Sequence, residues 1–281
     1  MQIRLDGKVN GTRIPQPFLK WAGGKRNLIN EILGKLPEKF NNYHEPFIGG
    51  GAVFFAVGNK ANHSTISDSN LELIMTFKVI QKNPKALIEK LKIHASKHSE
   101  KYFSEIRGQE PADPIDIASR MIYLNKTCYN GLYRTNKNGK FNVPFGKNNS
   151  PNIVQEENIL SCHEFLKDTK ILFGDFETIN PQKGDFVYLD PPYHPTGEMS
   201  FTKYTKENFT ERDQLRLRDF IARLTKNGVF VMLSNSNTKF INDLYGDKKF
   251  KKDIVLSPRF INCKPNERNE VEELLITNYQ L

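Results

Sequence analysis

The run "FVYLDPPYHP", residues 186–195, constrains the fold more than any other stretch of this sequence. Phe186 to Leu189 has the unbroken apolar character of a buried strand. Asp190 follows, and then two prolines, neither of which has an N–H to give to a sheet ladder. A core strand must therefore stop at Leu189. An acid and the Tyr193 ring are left on a stiff turn at its carboxyl end.

The rest of the chain has the rhythm of an α/β protein. From Pro17 to about Ser69 the pattern is a Gly-Gly turn, a helix over Asn27–Leu36 and a short strand entering "EPFIGGGAVFF". From Asn70 to Asn125, helical spacing of Leu71, Ile74 and Phe77, and later of Leu87 and Leu91, predicts helices broken by Pro84, Pro111 and Pro114. The segment "YNGLYRTNKNGKFNVPFG" differs in character. Asn138-Gly139 between two β-prone runs predicts a type I′ hairpin. Strands "KILFGD" and "FVYLD" follow, then a helix over Glu211–Lys226 with Thr210 and Asp213 as its cap, and strand "VFVMLSN". The carboxyl end reads as two strands joined by a polar loop. The 281 residues thus suggest one α/β domain built from 1–70 and 167–281, with 71–166 as a helical and hairpin insertion.

Composition narrows the partners. Lys plus Arg number 41 against 32 Asp plus Glu, a net charge of +9. That excess fits either a basic solvated surface or a polyanion partner, and charge alone does not choose between them. No apolar run approaches the roughly 20 residues of a membrane span. The leader "MQIRLDGKVNGTRIPQP" has no hydrophobic signal core and is expected to be loose, so the expected compartment is the cytoplasm. Cys128, Cys162 and Cys263 are too scattered for a disulfide framework or a Cys-x-x-Cys site. The six histidines show no metal-ligand spacing, so no metal is expected.

Three stretches carry chemistry. In "EPFIGGG", Phe47, Gly49 and Gly51 follow a strand directly, and glycines there let backbone approach a ligand closely. Asp68 ends the next strand, in "STISDSN", where a carboxylate can accept from ribose hydroxyls. Together they favour an adenosine-containing cofactor over a plain turn. "KWAGGKR", residues 20–26, lacks phosphate-loop spacing, and Arg26 stands where Ser or Thr would hold magnesium. At the opening run, an exocyclic nucleobase amine is a poor nucleophile because its lone pair is delocalised into the ring. Two acceptors for its N–H bonds, Asp190 and the Pro191 carbonyl, would localise that pair and stabilise the developing charge. Pro192 stiffens the turn, and Tyr193 offers a face for a base taken out of its stack.

In that order, "KWAGGK", "EPFIGGG", "DSN", "YNGLYRTNKNGKFNVPFG" and "LDPPY" resemble the Dam-type adenine-specific DNA methyltransferases, over roughly residues 17 to 279. The resemblance implies a Rossmann-like mixed sheet with a target-recognition insertion, S-adenosylmethionine as cofactor and double-stranded DNA as substrate. It implies that Trp21 and Lys25 touch the cofactor, that Asp68 binds its ribose, and that Asp190 to Tyr193 are catalytic. Asp190 also borders the cofactor, and Asp175 in "FGDF" is a looser match to the acid beside the cofactor's adenine. A bacterial or phage-encoded monomer is expected, with a cognate restriction endonuclease as partner through genetic linkage only.

With Asn138-Gly139 at the tip, residue 134 would face residue 143, bringing Arg134 close to Pro144. An arginine on a rigid hairpin suits bidentate contact with guanine O6 and N7. Tyr129, Asn130 and Leu132 flank it, placed to wedge or contact bases. The segment is similar to the recognition hairpin of family members that read GATC, so GATC is implied by resemblance. Lys264 and Arg268 look like a clamp on the DNA backbone. The competing readings are a methyltransferase of the same fold acting on another DNA site, on RNA or on a protein amide, and a catalytically silent DNA-binding module.

Overall fold

The computed structural model describes residues 8–9, 12–13, 15–148, 150–196, 209–258 and 270–280. In the leader, β1 (Lys8–Val9) and β2 (Thr12–Arg13) pair antiparallel, and its other residues up to 14 lie outside those described. A 3-10 turn, Lys25–Leu28, leads into α1 (Ile29–Leu33), followed by β3 (Tyr43–Glu45), α2 (Ala52–Val57) and β4 (Ser64–Asp68). Five helices come next: α3 (Leu71–Lys82), α4 (Pro84–Ser96), α5 (Glu100–Gly108), α6 (Pro114–Thr127) and α7 (Glu156–Leu166). The chain then forms β5 (Thr169–Phe173), β6 (Phe186–Leu189), α8 (Glu211–Lys226), β7 (Phe230–Ser236), α9 (Lys239–Leu244), β8 (Lys251–Pro258) and β9 (Glu270–Thr277).

Seven strands form one sheet in the order β5-β4-β3-β6-β7-β9-β8. The first five run parallel, and β9 is antiparallel to both of its neighbours. Successive side chains of a strand point to opposite faces, so β6 feeds two cores. Phe186 and Tyr188 join the cluster built with α2, α3, α6 and α7, whereas Val187 and Leu189 join the cluster built with α8 and α9. This double burial is why the strand is apolar at every position.

From β3 the chain moves outward to β4 and β5, and from β6 it moves the other way to β7. The strand order reverses between β3 and β6. Helices leaving in opposite directions open a crevice at the carboxyl ends of these strands, which is where α/β sheets bind ligands.

Pro84 and Pro114 each sit at the first position of a helix, where the missing N–H costs nothing. Thr210 and Asp213 form the expected capping box. The helix expected over 27–36 is shorter, because Leu28 departs from helical geometry (φ −103°, ψ 8°), Gly34 caps α1, and Pro37 disfavours helical backbone at Leu36. Helices α2, α7 and α9 had no counterpart in the sequence reading.

The hairpin register also differs. Thr135 pairs with Phe141, and the Asn142 N–H donates to the Arg134 carbonyl, so residue 134 faces 142 rather than 143. The turn closes from Asn136: the Gly139 N–H donates to the Asn136 carbonyl, and Gly139 takes φ +79°. Asn138 is not left-handed, so a three-residue loop with a left-handed glycine replaces the type I′ turn. Pro144 therefore lies opposite Tyr129, whose N–H donates to its carbonyl, and not beside Arg134.

Candidate active site

The crevice is bounded by the residues after β3, Pro46 and Phe47, and by Asp190 after β6. The buried Lys25 ammonium lies 2.8 Å from Asp190 Oδ1 and donates to the Gly23 carbonyl at 2.7 Å. It also sits 4.7 Å from the centre of the Tyr193 ring. Burial raises the Asp190 carboxyl above its ordinary value, and the Lys25 charge and hydrogen bond oppose that rise. With Oδ1 committed to Lys25, Oδ2 is the oxygen left for an incoming donor. No hydrogen bond to the Pro191 carbonyl occurs among the described residues. Beside this pair, the wholly buried Glu45 accepts from Tyr43 Oη at 2.6 Å, and burial drives its carboxyl well above the usual range.

Side chains from four other elements fix the Asp190–Pro195 turn. Tyr193 Oη donates to Glu273 Oε2 of β9 at 2.6 Å, which anchors the ring at its far end. Burial, and then the charges of Asp190 and Glu273, raise the phenol well above its usual value. The Pro192 carbonyl accepts from buried Gln214 Nε2 at 3.1 Å, and Gln214 Oε1 accepts from buried Asn235 Nδ2 at 3.1 Å. Asn235 Oδ1 accepts from the His194 N–H, and Ser236 Oγ donates to the His194 carbonyl at 2.6 Å. The His194 ring stacks on Phe240 with centroids 4.7 Å apart. The sequence reading missed Glu273, Gln214, Asn235 and Ser236 because each reaches the turn through packing. Pairing of Ser236 with Glu273 across β7 and β9 is what brings that acid to the site.

On the other side of the crevice, the Gly49 N–H donates to Asp68 Oδ2 at 3.1 Å, and Oδ1 accepts from the Asn70 N–H at 2.9 Å. Burial outweighs these bonds and pushes the Asp68 carboxyl up to about 6. Gly49 (φ +46°) has no room for a side chain, since a Cβ would lie 2.7 Å from Trp21 Cδ1. Trp21 therefore packs directly against the glycine turn. Gly51 (φ +75°) leads into α2, and Phe47 packs against both the Phe176 and Phe209 rings at 5.7 and 5.8 Å. Trp21, Gly49 and Asp68 are thus brought together, as are Lys25, Asp190 and Tyr193. Asp175 lies at the end of β5. Its Oδ1 caps the following 3-10 turn by accepting from the Glu177 N–H, and Oδ2 pairs with Arg216.

Tyr129, at the foot of the hairpin, is 53% exposed, and Asn130 is exposed in a left-handed conformation (φ +55°) that asparagine tolerates. Leu132 and Arg134 are half-buried, and Arg134 Nε donates to Asn142 Oδ1 at 2.7 Å. Lys264 and Arg268 lie outside the described residues. Among the described residues there is no His/Cys/Asp/Glu cluster that could hold a metal ion and no helix long and apolar enough to cross a membrane.

A parallel sheet that reverses its order at an acidic, glycine-lined crevice and ends in an antiparallel pair is the fold of a Rossmann-like methyltransferase. More narrowly, the chain belongs to the D12 class N6 adenine-specific DNA methyltransferases, matching that family over residues 21–255. It is 42% identical over 275 residues to the type II methyltransferase M1.LlaDCHI of Lactococcus lactis, covering 94% of this chain and 95% of the relative. Similar are M.MjaIII of Methanocaldococcus jannaschii, 41% identical over 94% of this chain and 99% of that one, and the DNA adenine methylase of Haemophilus influenzae, 33% identical over 92% of each.

Proposed function

We propose that this adenine-specific DNA methyltransferase takes its methyl group from S-adenosylmethionine and places it on the exocyclic nitrogen of adenine within GATC in duplex DNA. The observation that carries the reading is the Asp190 turn. It stands beside the strand-order reversal, with one carboxylate oxygen held by Lys25, which leaves the other for an incoming donor. Asp190 Oδ2 and the Pro191 carbonyl accept the two amine N–H bonds of a flipped adenine, and the ring of Tyr193, tethered by Glu273, stacks on the base. Pro192 and the Gln214 link hold the carbonyl's direction. Orientation supplies much of the rest of the acceleration.

The donor side suits S-adenosylmethionine. Asp68 is placed to accept from ribose hydroxyls, Gly49 and Gly51 leave the turn open to backbone contact, and Trp21 and Phe47 wall it with rings. Lys25 borders both donor and amine, and Asp175 lies at the outer end, toward the adenine moiety. When bound, S-adenosylmethionine supplies a sulfonium-activated methyl group. The opposing insertion, residues 71–166, presents the target-reading hairpin with Tyr129, Asn130, Leu132, Arg134 and Pro144, and Lys264 and Arg268 clamp the DNA backbone. Relatives named type II methyltransferases favour a protective role beside a restriction endonuclease. Methyl-labelled S-adenosylmethionine incubated with duplex DNA is expected to label the DNA, and bound donor with unlabelled DNA would overturn the reading.

Donor affinity should depend on pH. The ionised Asp68 is the form that accepts from ribose, and its carboxyl titrates at about 6. Binding measured by calorimetry should therefore be constant above that value and weaken as pH falls through it. Asp68→Asn should weaken binding by roughly 1–3 kcal/mol at neutral pH and flatten the acid limb. A variant that keeps the limb would place the titrating group elsewhere.

A further inference from the structure

Tyr133 stands in neither the donor-side set nor the hairpin set of residues named above, yet it joins the two. In sequence it lies between Leu132 and Arg134 of the hairpin. In space its ring stacks on Trp21, with centroids 5.0 Å apart and planes at 21°, and packs against Phe141 of the opposing hairpin arm at 5.9 Å. Trp21 in turn covers Gly49, whose N–H donates to Asp68. The Tyr133 hydroxyl donates to Glu72 Oε2 at 3.0 Å, in the first turn of α3. That helix starts at its cap Asn70, whose own N–H donates to Asp68 Oδ1. Glu72 is held from the other side by Arg120 Nη1 at 3.3 Å, which is anchored through Nε and Nη2 to the carbonyls of Ile106 and Arg107.

Two routes therefore run from Tyr133 to Asp68, one through Trp21 and the glycine turn and one through Glu72 and the α3 cap. A third link ties the same segments together. Asn125 Nδ2 donates to both the Lys20 and Gly131 carbonyls, and its Oδ1 accepts from the Lys20 N–H. These bonds tie Lys20 to the hairpin foot at Gly131. Trp21 and Asp68 are thus joined through Tyr133 to the arm carrying Leu132 and Arg134.

We propose that Tyr133 is a positioning residue that couples donor binding to target readout, so that the donor and the correct duplex each tighten the binding of the other. The inference rests on the reading of Asp68 as the donor's ribose acceptor and of the hairpin as the target reader. By linkage the coupling is reciprocal, and such factors typically span roughly 5- to 150-fold.

The test uses the full chain with S-adenosylhomocysteine, which binds without turnover, and a duplex containing GATC. Dissociation constants are measured for each ligand alone and in the presence of the other. Wild type is expected to show coupling of roughly 5-fold or more. Tyr133→Phe keeps the stack on Trp21 but loses the Glu72 link, and should show a reduced factor. Tyr133→Leu loses both contacts, and its factor should approach one while each ligand alone binds within about threefold of wild type. Rescue in the order Leu, Phe, Tyr is the signature, since a merely structural role would weaken binary binding as well. The proposal is overturned if wild type shows no coupling, if any folded variant keeps the full factor, or if binary affinities fall in parallel with it. Failure of wild type to bind S-adenosylhomocysteine at all would instead overturn the donor assignment, which separates the two claims.

Discussion

Replacing Asp190 with asparagine should lower kcat for methyl transfer by about 10²–10³-fold or more, the scale of removing one preorganised group from a developing charge. Asparagine keeps the volume of the side chain but removes its negative charge, and it can turn an N–H₂ group toward an amine that needs an acceptor. Because the carboxylate acts chiefly as charge develops, the loss should appear in kcat and kcat/KM together. Affinity for S-adenosylmethionine should change less than turnover. The substitution also gives the buried Lys25 ammonium, 6% exposed, a neutral amide oxygen in place of its carboxylate partner. A lower melting temperature is expected from that uncompensated charge. A variant that keeps more than about a tenth of wild-type kcat would remove Asp190 from the chemistry.

The second large effect concerns recognition. Arg134→Ala should cost roughly 1–3 kcal/mol on GATC and little on sites altered at the guanine, because a bidentate arginine–guanine contact discriminates by that amount. Asn142 aims this arginine by accepting from Nε through its side chain and from Nη2 through its carbonyl. Asn142→Ala should therefore erode discrimination in the same direction and by less. Lys264→Ala should weaken all sequences about equally and lower the salt slope by about one unit. The measurement is kcat/KM on GATC and its single-base variants at two salt concentrations. Proportional loss on every site in Arg134→Ala would mean that the hairpin arginine contacts phosphate rather than base.

What the sequence made legible was local. Two prolines after "FVYLD" dictate where β6 ends, whatever packs around it, and the observed strand stops at Leu189. Likewise Thr210 and Asp213 bond within one helical turn, so their pairing needs no tertiary information. The hairpin was half legible: Asn138-Gly139 marked the turn, but whether the glycine serves as the second turn residue or follows the turn decides the register by one residue. The backbone settles that choice, with Gly139 left-handed and Asn138 not. Glu273, Gln214 and Asn235 were illegible for a different reason. They lie 80, 22 and 41 residues from their partners in the Asp190 turn, and nothing in their local patterns distinguishes them from ordinary strand and helix residues. Tyr133 lies within the hairpin motif, yet its contacts with Trp21 and Glu72 reach residues remote in sequence.

The central claim is that a methyl group reaches the amino nitrogen of one adenine in duplex DNA by way of the Asp190 turn. The measurement that tests it most directly is mass-spectrometric mapping of label from methyl-labelled S-adenosylmethionine. The substrate is a synthetic duplex with a single GATC and several other adenines, and matched RNA and a protein mixture serve as competing acceptors. The account predicts label on N6 of the GATC adenine and on no other acceptor, with the signal abolished in Asp190→Asn. Label on a cytosine, on RNA or on protein, or undiminished label in Asp190→Asn, would contradict it.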